Sequence, residues 1–66
     1  MMNFIMQIKG YDKTITLRYV TNVAFFCETP NSVLPAEVQI EYVENNEQRA
    51  CRYMMKDLQW FTTTEV

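Results

Sequence analysis

The stretch VQIEYVENNEQRACRY, residues 38–53, decides the fold of this 66-residue chain. Apolar and polar residues alternate on both sides of its centre, and a period of two is typical of strands with one buried face. The centre is Asn45-Asn46, and asparagine tolerates the left-handed backbone conformation that a tight hairpin turn requires. A turn at these residues predicts the cross-strand pairs Val38–Tyr53, Gln39–Arg52, Ile40–Cys51 and Tyr42–Arg49.

The beginning of the chain predicts another hairpin. Residues 4–8 and 15–19 also alternate, and between them lies the turn cluster Gly10–Lys13, which contains the only glycine. A two-residue turn at Tyr11-Asp12 would set the even-numbered apolar residues of the first strand opposite the odd-numbered apolar residues of the second, so that both apolar sets share one face. The predicted pairs are Ile8–Ile15, Met6–Leu17 and Phe4–Tyr19.

The remaining segments predict an all-β domain that spans residues 1–66. Residues 23–27 form a short central strand, and residues 28–35 form a loop that contains two prolines. A single helical turn near residues 56–59, with Asp57 as its cap, precedes a last strand at 60–64. We therefore expect five or six short antiparallel strands built from two hairpins, arranged as a small, strongly bent sheet or as a barrel of the SH3-like type.

Composition and charge restrict the function. The chain has a net charge of -2, with eight acidic and six basic residues, which disfavours nucleic-acid binding driven by phosphate neutralisation. No apolar run reaches the length of a membrane helix, and the apolar start lacks the basic region of a signal peptide, so we expect a cytoplasmic protein. The two cysteines, Cys27 and Cys51, lie in apolar strand patterns and are expected to be free, buried thiols.

The residues needed for catalysis are scarce. The chain contains no histidine, one serine and one glycine, which removes the commonest general base, the hydrolase triad and the phosphate-binding glycine loops. Two isolated cysteines make a weak metal site. The sequence therefore predicts a protein that is not an enzyme and that uses neither a cofactor nor a metal.

The surface is where the sequence indicates a function. Neighbouring side chains on a strand point to opposite faces, so one ring of Phe25-Phe26 and one of Trp60-Phe61 should lie outside the core. Outer positions are also expected for Ile5, Val20 and Met54, with Arg18 between the first two on the outer face of the first hairpin. Residues 28–48 add five glutamates without any basic residue. This surplus of apolar and acidic side chains is typical of an interaction surface.

These observations favour a non-enzymatic protein-binding module that occupies a surface of another protein, as a homo-oligomer and specifically a homodimer joined by an edge strand or an apolar face. Small accessory or inhibitor proteins of phages and mobile elements match this size and lack of catalytic residues. Two alternatives stay open: a protein that sequesters a nucleotide-like ligand at a subunit interface through Arg18, Arg49 or Arg52, and a small nucleic-acid-binding β-barrel. The candidate partner-binding residues are Glu37, Glu41, Glu44, Glu47, Arg18, Arg52, Phe26 and Trp60.

Overall fold

Five antiparallel strands and one 3-10 turn make up most of the fold in the computed structural model, which describes residues 1–65. The strands are β1 (Met2–Ile8), β2 (Thr14–Cys27), β3 (Pro35–Glu44), β4 (Glu47–Met54) and β5 (Leu58–Glu65), and the 3-10 turn is Met55–Asp57. They form one sheet in the order β4-β3-β2-β1-β5. The all-β antiparallel prediction is confirmed, and of its two forms the open sheet is present and the closed barrel is not.

The β3–β4 hairpin has the predicted register. All four predicted cross-strand pairs are present, from Val38–Tyr53 to Tyr42–Arg49. The turn residues Asn45 and Asn46 have φ angles of 54° and 63°, the left-handed values that a two-residue hairpin turn demands. Local turn chemistry and strand alternation agree here, and together they determine the pairing.

The β1–β2 hairpin differs from the prediction by two residues. Met6 pairs with Ile15 and Phe4 with Leu17, so the connection spans residues 9–13 instead of a two-residue turn. Gly10 has a φ of 87°, and the Tyr11 amide donates to the Ile8 carbonyl at 3.1 Å, so the chain already reverses before the predicted turn. A shift of two residues preserves parity, and the apolar sets of both strands still share one face.

Strand β2 is continuous for 14 residues, where two shorter strands were expected. It contains an extra residue between Leu17 and Val20, because these residues pair with Phe4 and Met2 of β1. Tyr19 lies in this β-bulge with a φ of 58°. An extra residue inverts the side-chain alternation beyond it. Tyr19 is therefore exposed and Val20 is buried, the reverse of the prediction for both.

This inversion also removes a predicted surface. Ile5, Arg18 and Val20 were expected to form an apolar patch with a basic centre on the outer face of the first hairpin. Val20 instead belongs to the core, so this patch does not form.

The core lies on the concave side of the bent sheet. The first half of β2 pairs with β1 and the second half with β3, and the bulges between these halves allow the sheet to fold over. The ring of Phe61 on β5 stacks on Phe4 at 5.5 Å and lies 5.9 Å from Phe25, in the second half of β2. Six buried side chains form the centre: Phe4, Met6, Val20, Val38, Ile40 and Leu58.

The 3-10 turn begins earlier than predicted. Asp57 is its last residue and does not cap it, and the turn has no side-chain cap. The Asp57 carbonyl instead accepts a hydrogen bond of 2.9 Å from the Lys9 amide, which attaches the turn to the β1–β2 connection. Strand β5 starts at the buried Leu58, which pairs with Ile8 of β1, two residues before the predicted strand.

Candidate protein-binding surface

The loop between β2 and β3 displays two adjacent aliphatic side chains. Val33 is 92% exposed and Leu34 is 73% exposed. Hydrogen bonds shape this segment, because the Ser32 amide donates to the Thr29 carbonyl at 3.1 Å and the Ser32 hydroxyl to the Leu34 carbonyl at 3.0 Å. The loop thus turns at residues 29–32 and presents its apolar residues just before β3 begins.

The convex face of the sheet continues this apolar area. Phe26 pairs with Glu37, and Glu37 pairs with Met54, so these residues form one row across β2, β3 and β4. Phe26 and Met54 are both exposed. Together with Leu34 they line an open depression of about 680 Å³. We call Phe26, Val33, Leu34 and Met54 the loop surface.

Arg52 borders the loop surface. Its guanidinium carbon lies 4.7 Å from the centre of the Phe26 ring, a cation–π contact. Its nitrogens donate to a carboxylate oxygen of Glu37 at 3.3 Å and to the side-chain oxygen of Gln39 at 2.6 Å. Contacts of this kind between exposed groups stabilise a fold by only about 1 kcal/mol or less each. Their local effect is to hold the Phe26 ring in place and to neutralise Glu37.

The predicted site residues fall into separate groups. Phe26, Glu37 and Arg52 lie together as described, whereas Trp60 lies on the opposite edge strand, β5, across from Gln7 of β1. The glutamates are spread along the length of β3, since residues 37 and 44 are separated by roughly 23 Å at 3.3 Å per residue. Glu41 lies within β3, Glu44 and Glu47 face each other beside the hairpin turn, and Glu47 pairs with Arg49 at 3.4 Å.

Arg18 lies in a different depression of about 750 Å³, beside the β2 bulge and the tip of the β3–β4 hairpin. Tyr19, Tyr42 and Glu44 contribute to its walls. Arg49 and Arg52 form ion pairs, whereas within residues 1–65 Arg18 forms none. A volume of this size lies in the range of small-molecule sites, about 300 to 1,000 Å³. We call it the Arg18 groove.

The cysteines are free, and neither is fully buried. Cys27 is exposed, contrary to the prediction, because it lies at the end of β2 where the loop begins. Burial raises the pKa of the half-buried Cys51 thiol, an effect that a hydrogen bond with Tyr53 partly offsets. Burial, and then the neighbouring Cys51, raise the pKa of Tyr53 as well. Cys51 is therefore a protonated thiol at neutral pH, without the features that activate a nucleophile.

Sequence reasoning missed Val33 and Leu34. The signal was present, because two adjacent aliphatic residues between Pro30 and Pro35 belong to no alternating pattern and so have no core position to fill. In the described part of the chain, no three His, Cys, Asp or Glu residues are grouped as metal ligands would be.

Comparison of the chain with models of protein families, with curated proteins and with solved structures found no match in any of the three. Within residues 1–65, none of the helical structure has the length and apolar character needed to cross a membrane.

Proposed function

We propose that this protein is a non-enzymatic binding module that covers a surface of another protein with its loop surface. The observation that carries the proposal is the exposure of Val33 and Leu34, at 92% and 73%, with Leu34 lining the same depression as the exposed Phe26 and Met54. Aliphatic side chains that stay exposed to water do not contribute hydrophobic stabilisation to the fold of the isolated chain. A contiguous apolar patch with a polar rim is the usual anatomy of a protein-binding site.

The charges around the loop surface indicate the kind of partner. Glu37 is neutralised by Arg52, whereas Glu28 and Glu41 have no ion-pair partner within residues 1–65. Glu28 and the basic Lys56 both border the same depression as Leu34. The partner surface should therefore combine an apolar pocket for the loop tip with a rim that carries both basic and acidic residues, and complementary charges would accelerate association.

Capture of partners from a lysate of the host tests this function. Immobilised wild type is compared with a Val33→Ser/Leu34→Ser variant and with a variant in which Glu37, Glu41, Glu44 and Glu47 are replaced by Gln. Tyr19→Ser is the matched control, because Tyr19 is also an exposed apolar residue but borders the Arg18 groove. We expect the same protein to be recovered with wild type and Tyr19→Ser and to be lost with the Val33/Leu34 variant. Equal recovery with all four proteins would refute the proposal.

The Arg18 groove supports a second candidate function, sequestration of a small anionic ligand. Arg18 could bind a phosphate or carboxylate group, and Tyr19 and Tyr42 are aromatic residues on which a base could stack. Native mass spectrometry of protein purified from its host separates the two candidates. A bound small molecule that is lost in an Arg18→Ala variant is expected only for sequestration, and its absence would leave the protein-binding function.

A further inference from the structure

The two edges of the open sheet differ in their protection against pairing with other chains. Strand β4 carries Glu47, Arg49 and Arg52, and charged side chains on an edge strand discourage further pairing. In β5, every residue after Leu58 is exposed, and residues 59–64 contain no charge, proline or glycine. The sequence QWFTTT combines aromatic and β-branched residues, which favour strands. Strand β5 is therefore an edge that is ready to accept another strand.

We infer that two copies of this chain associate by antiparallel pairing of their β5 strands, which joins the two sheets into one. A second copy is the occupant that fits this edge, because an uncharged segment pairs with itself without like-charge repulsion. Trp60 and Phe61, at 43% and 37% exposure, lie on opposite faces of β5, so pairing covers apolar surface on both sides of the junction. Among the described residues 1–65, the core of each copy contains six buried side chains, and this additional burial supports it.

The register follows from parity and charge. Paired residues of an antiparallel sheet point to the same face. A two-fold axis perpendicular to the joined sheet must therefore pass midway between the two copies of one residue, which pair with each other. Phe61 and Thr62 are the two residues at the centre of β5. An axis at Phe61 would bring Glu65 of the second copy to the start of β5, beside Asp57 of the 3-10 turn, and neighbouring negative charges are destabilising. The axis therefore passes through Thr62.

This register gives favourable pairs along the whole junction. Trp60 faces Thr64 of the second copy and Phe61 faces its Thr63, so each face gains aromatic pairs with a β-branched residue. Gln59 faces Glu65 of the second copy, which pairs a carboxylate with an amide. Thr62 faces its own copy at the axis, so a substitution there sets two identical new side chains directly opposite each other.

Sedimentation equilibrium of wild type and a Thr62→Lys variant tests the dimer. The substitution brings two ammonium groups together at the axis, so we expect the mass to fall from twice 7.9 kDa to 7.9 kDa. Thr16→Lys is the matched control: Thr16 and Thr62 both pair with Ile5, but Thr16 lies on the interior strand β2. This control should stay dimeric.

Charge complementation distinguishes loss of pairing from loss of folding. Thr62→Glu should also be monomeric, and an equimolar mixture of the Lys and Glu variants should regain twice 7.9 kDa as a mixed dimer, identified by native mass spectrometry. A monomeric wild type, an undiminished Thr62→Lys dimer, or a mixture that stays monomeric would each overturn the inference. The proposed function does not require this dimer, so such results would not affect the capture experiment.

Discussion

Replacing Phe61 by Leu should destabilise the protein more than replacing Phe26 by Leu, although the two rings are almost equally exposed, at 37% and 41%. The two residues differ in what their rings contact. Phe61 stacks on Phe4 and lies against Phe25, and it thereby joins β5 to the second half of β2 across the core. Phe26 contacts the guanidinium of Arg52 on the convex face.

The magnitude follows from these contacts. Each aromatic pair contributes about 0.5 to 1.5 kcal/mol beyond its buried area, so the two pairs of Phe61 contribute roughly 1 to 3 kcal/mol. An exposed cation–π contact contributes about 0.5 to 1 kcal/mol. Leucine retains most of the buried area at either position, so the difference between the two variants should be about 1 kcal/mol, near the middle of the range that these contacts allow. A domain of this length has a total stability of roughly 3 to 10 kcal/mol, which makes the difference easy to measure.

Urea denaturation followed by the fluorescence of Trp60, the only tryptophan, measures both variants. Both substitutions are made in the Thr62→Lys background, so that self-association does not contribute to stability. With a slope of about 1 kcal/mol/M, the Phe61→Leu midpoint should lie about 1 M below that of Phe26→Leu. Equal midpoints would refute the reasoning, because they would show that the ring contacts across the bend add nothing to burial.

Two further predictions concern the hairpin turn and the titratable pair. Asn46→Ala should lower the melting temperature by about 4 to 8 °C, because an alanine in the left-handed conformation costs roughly 1 kcal/mol. Asn31→Ala, in a turn without positive φ, should have little effect, and equal shifts for the two variants would contradict this account. Since folding raises the pKa of both Cys51 and Tyr53, the stability they contribute is present below their ordinary values of 9.0 and 10.0 and is lost as pH rises through the raised ones. Urea midpoints should therefore fall with rising alkaline pH, less steeply in Cys51→Ala or Tyr53→Phe, and an unchanged slope in both variants would argue against the coupling.

The strand register could be predicted accurately where turn residues and alternation specify one pairing, and less accurately elsewhere. The β3–β4 hairpin could be predicted to the residue because Asn45-Asn46 and the alternation on either side specify one register. The β1–β2 connection offered several turn residues, and the glycine at position 10 reversed the chain earlier than expected. The bulge at Tyr19 carried no signal, because tyrosine is rarely found at positive φ and tertiary pairing on both sides of β2 imposes it.

In the candidate site, contacts within one hairpin could be predicted, whereas contacts between separate elements could not. The cluster of Glu37 and Arg52 could be predicted because it depends on hairpin register alone. That Phe26 joins it depends on the pairing of β2 with β3, which the long loop between these strands left undetermined. The position of Val33 and Leu34 outside any alternating pattern indicates that they are not core residues, but the course of the loop that displays them follows from no periodic pattern.

The pairing of β5 with β1, the first strand of the chain, has a consequence for the order of folding. Strands β1 to β4 each pair with their neighbour in sequence, whereas β5 pairs with β1, and the contact between Met2 and Glu65 spans almost the whole chain. Contacts between distant residues form slowly because a long loop must close first. We expect the four-stranded meander to assemble before β5 adds to it, so that Trp60 fluorescence changes after the backbone circular dichroism in refolding. Simultaneous changes would instead indicate that the sheet forms in one step.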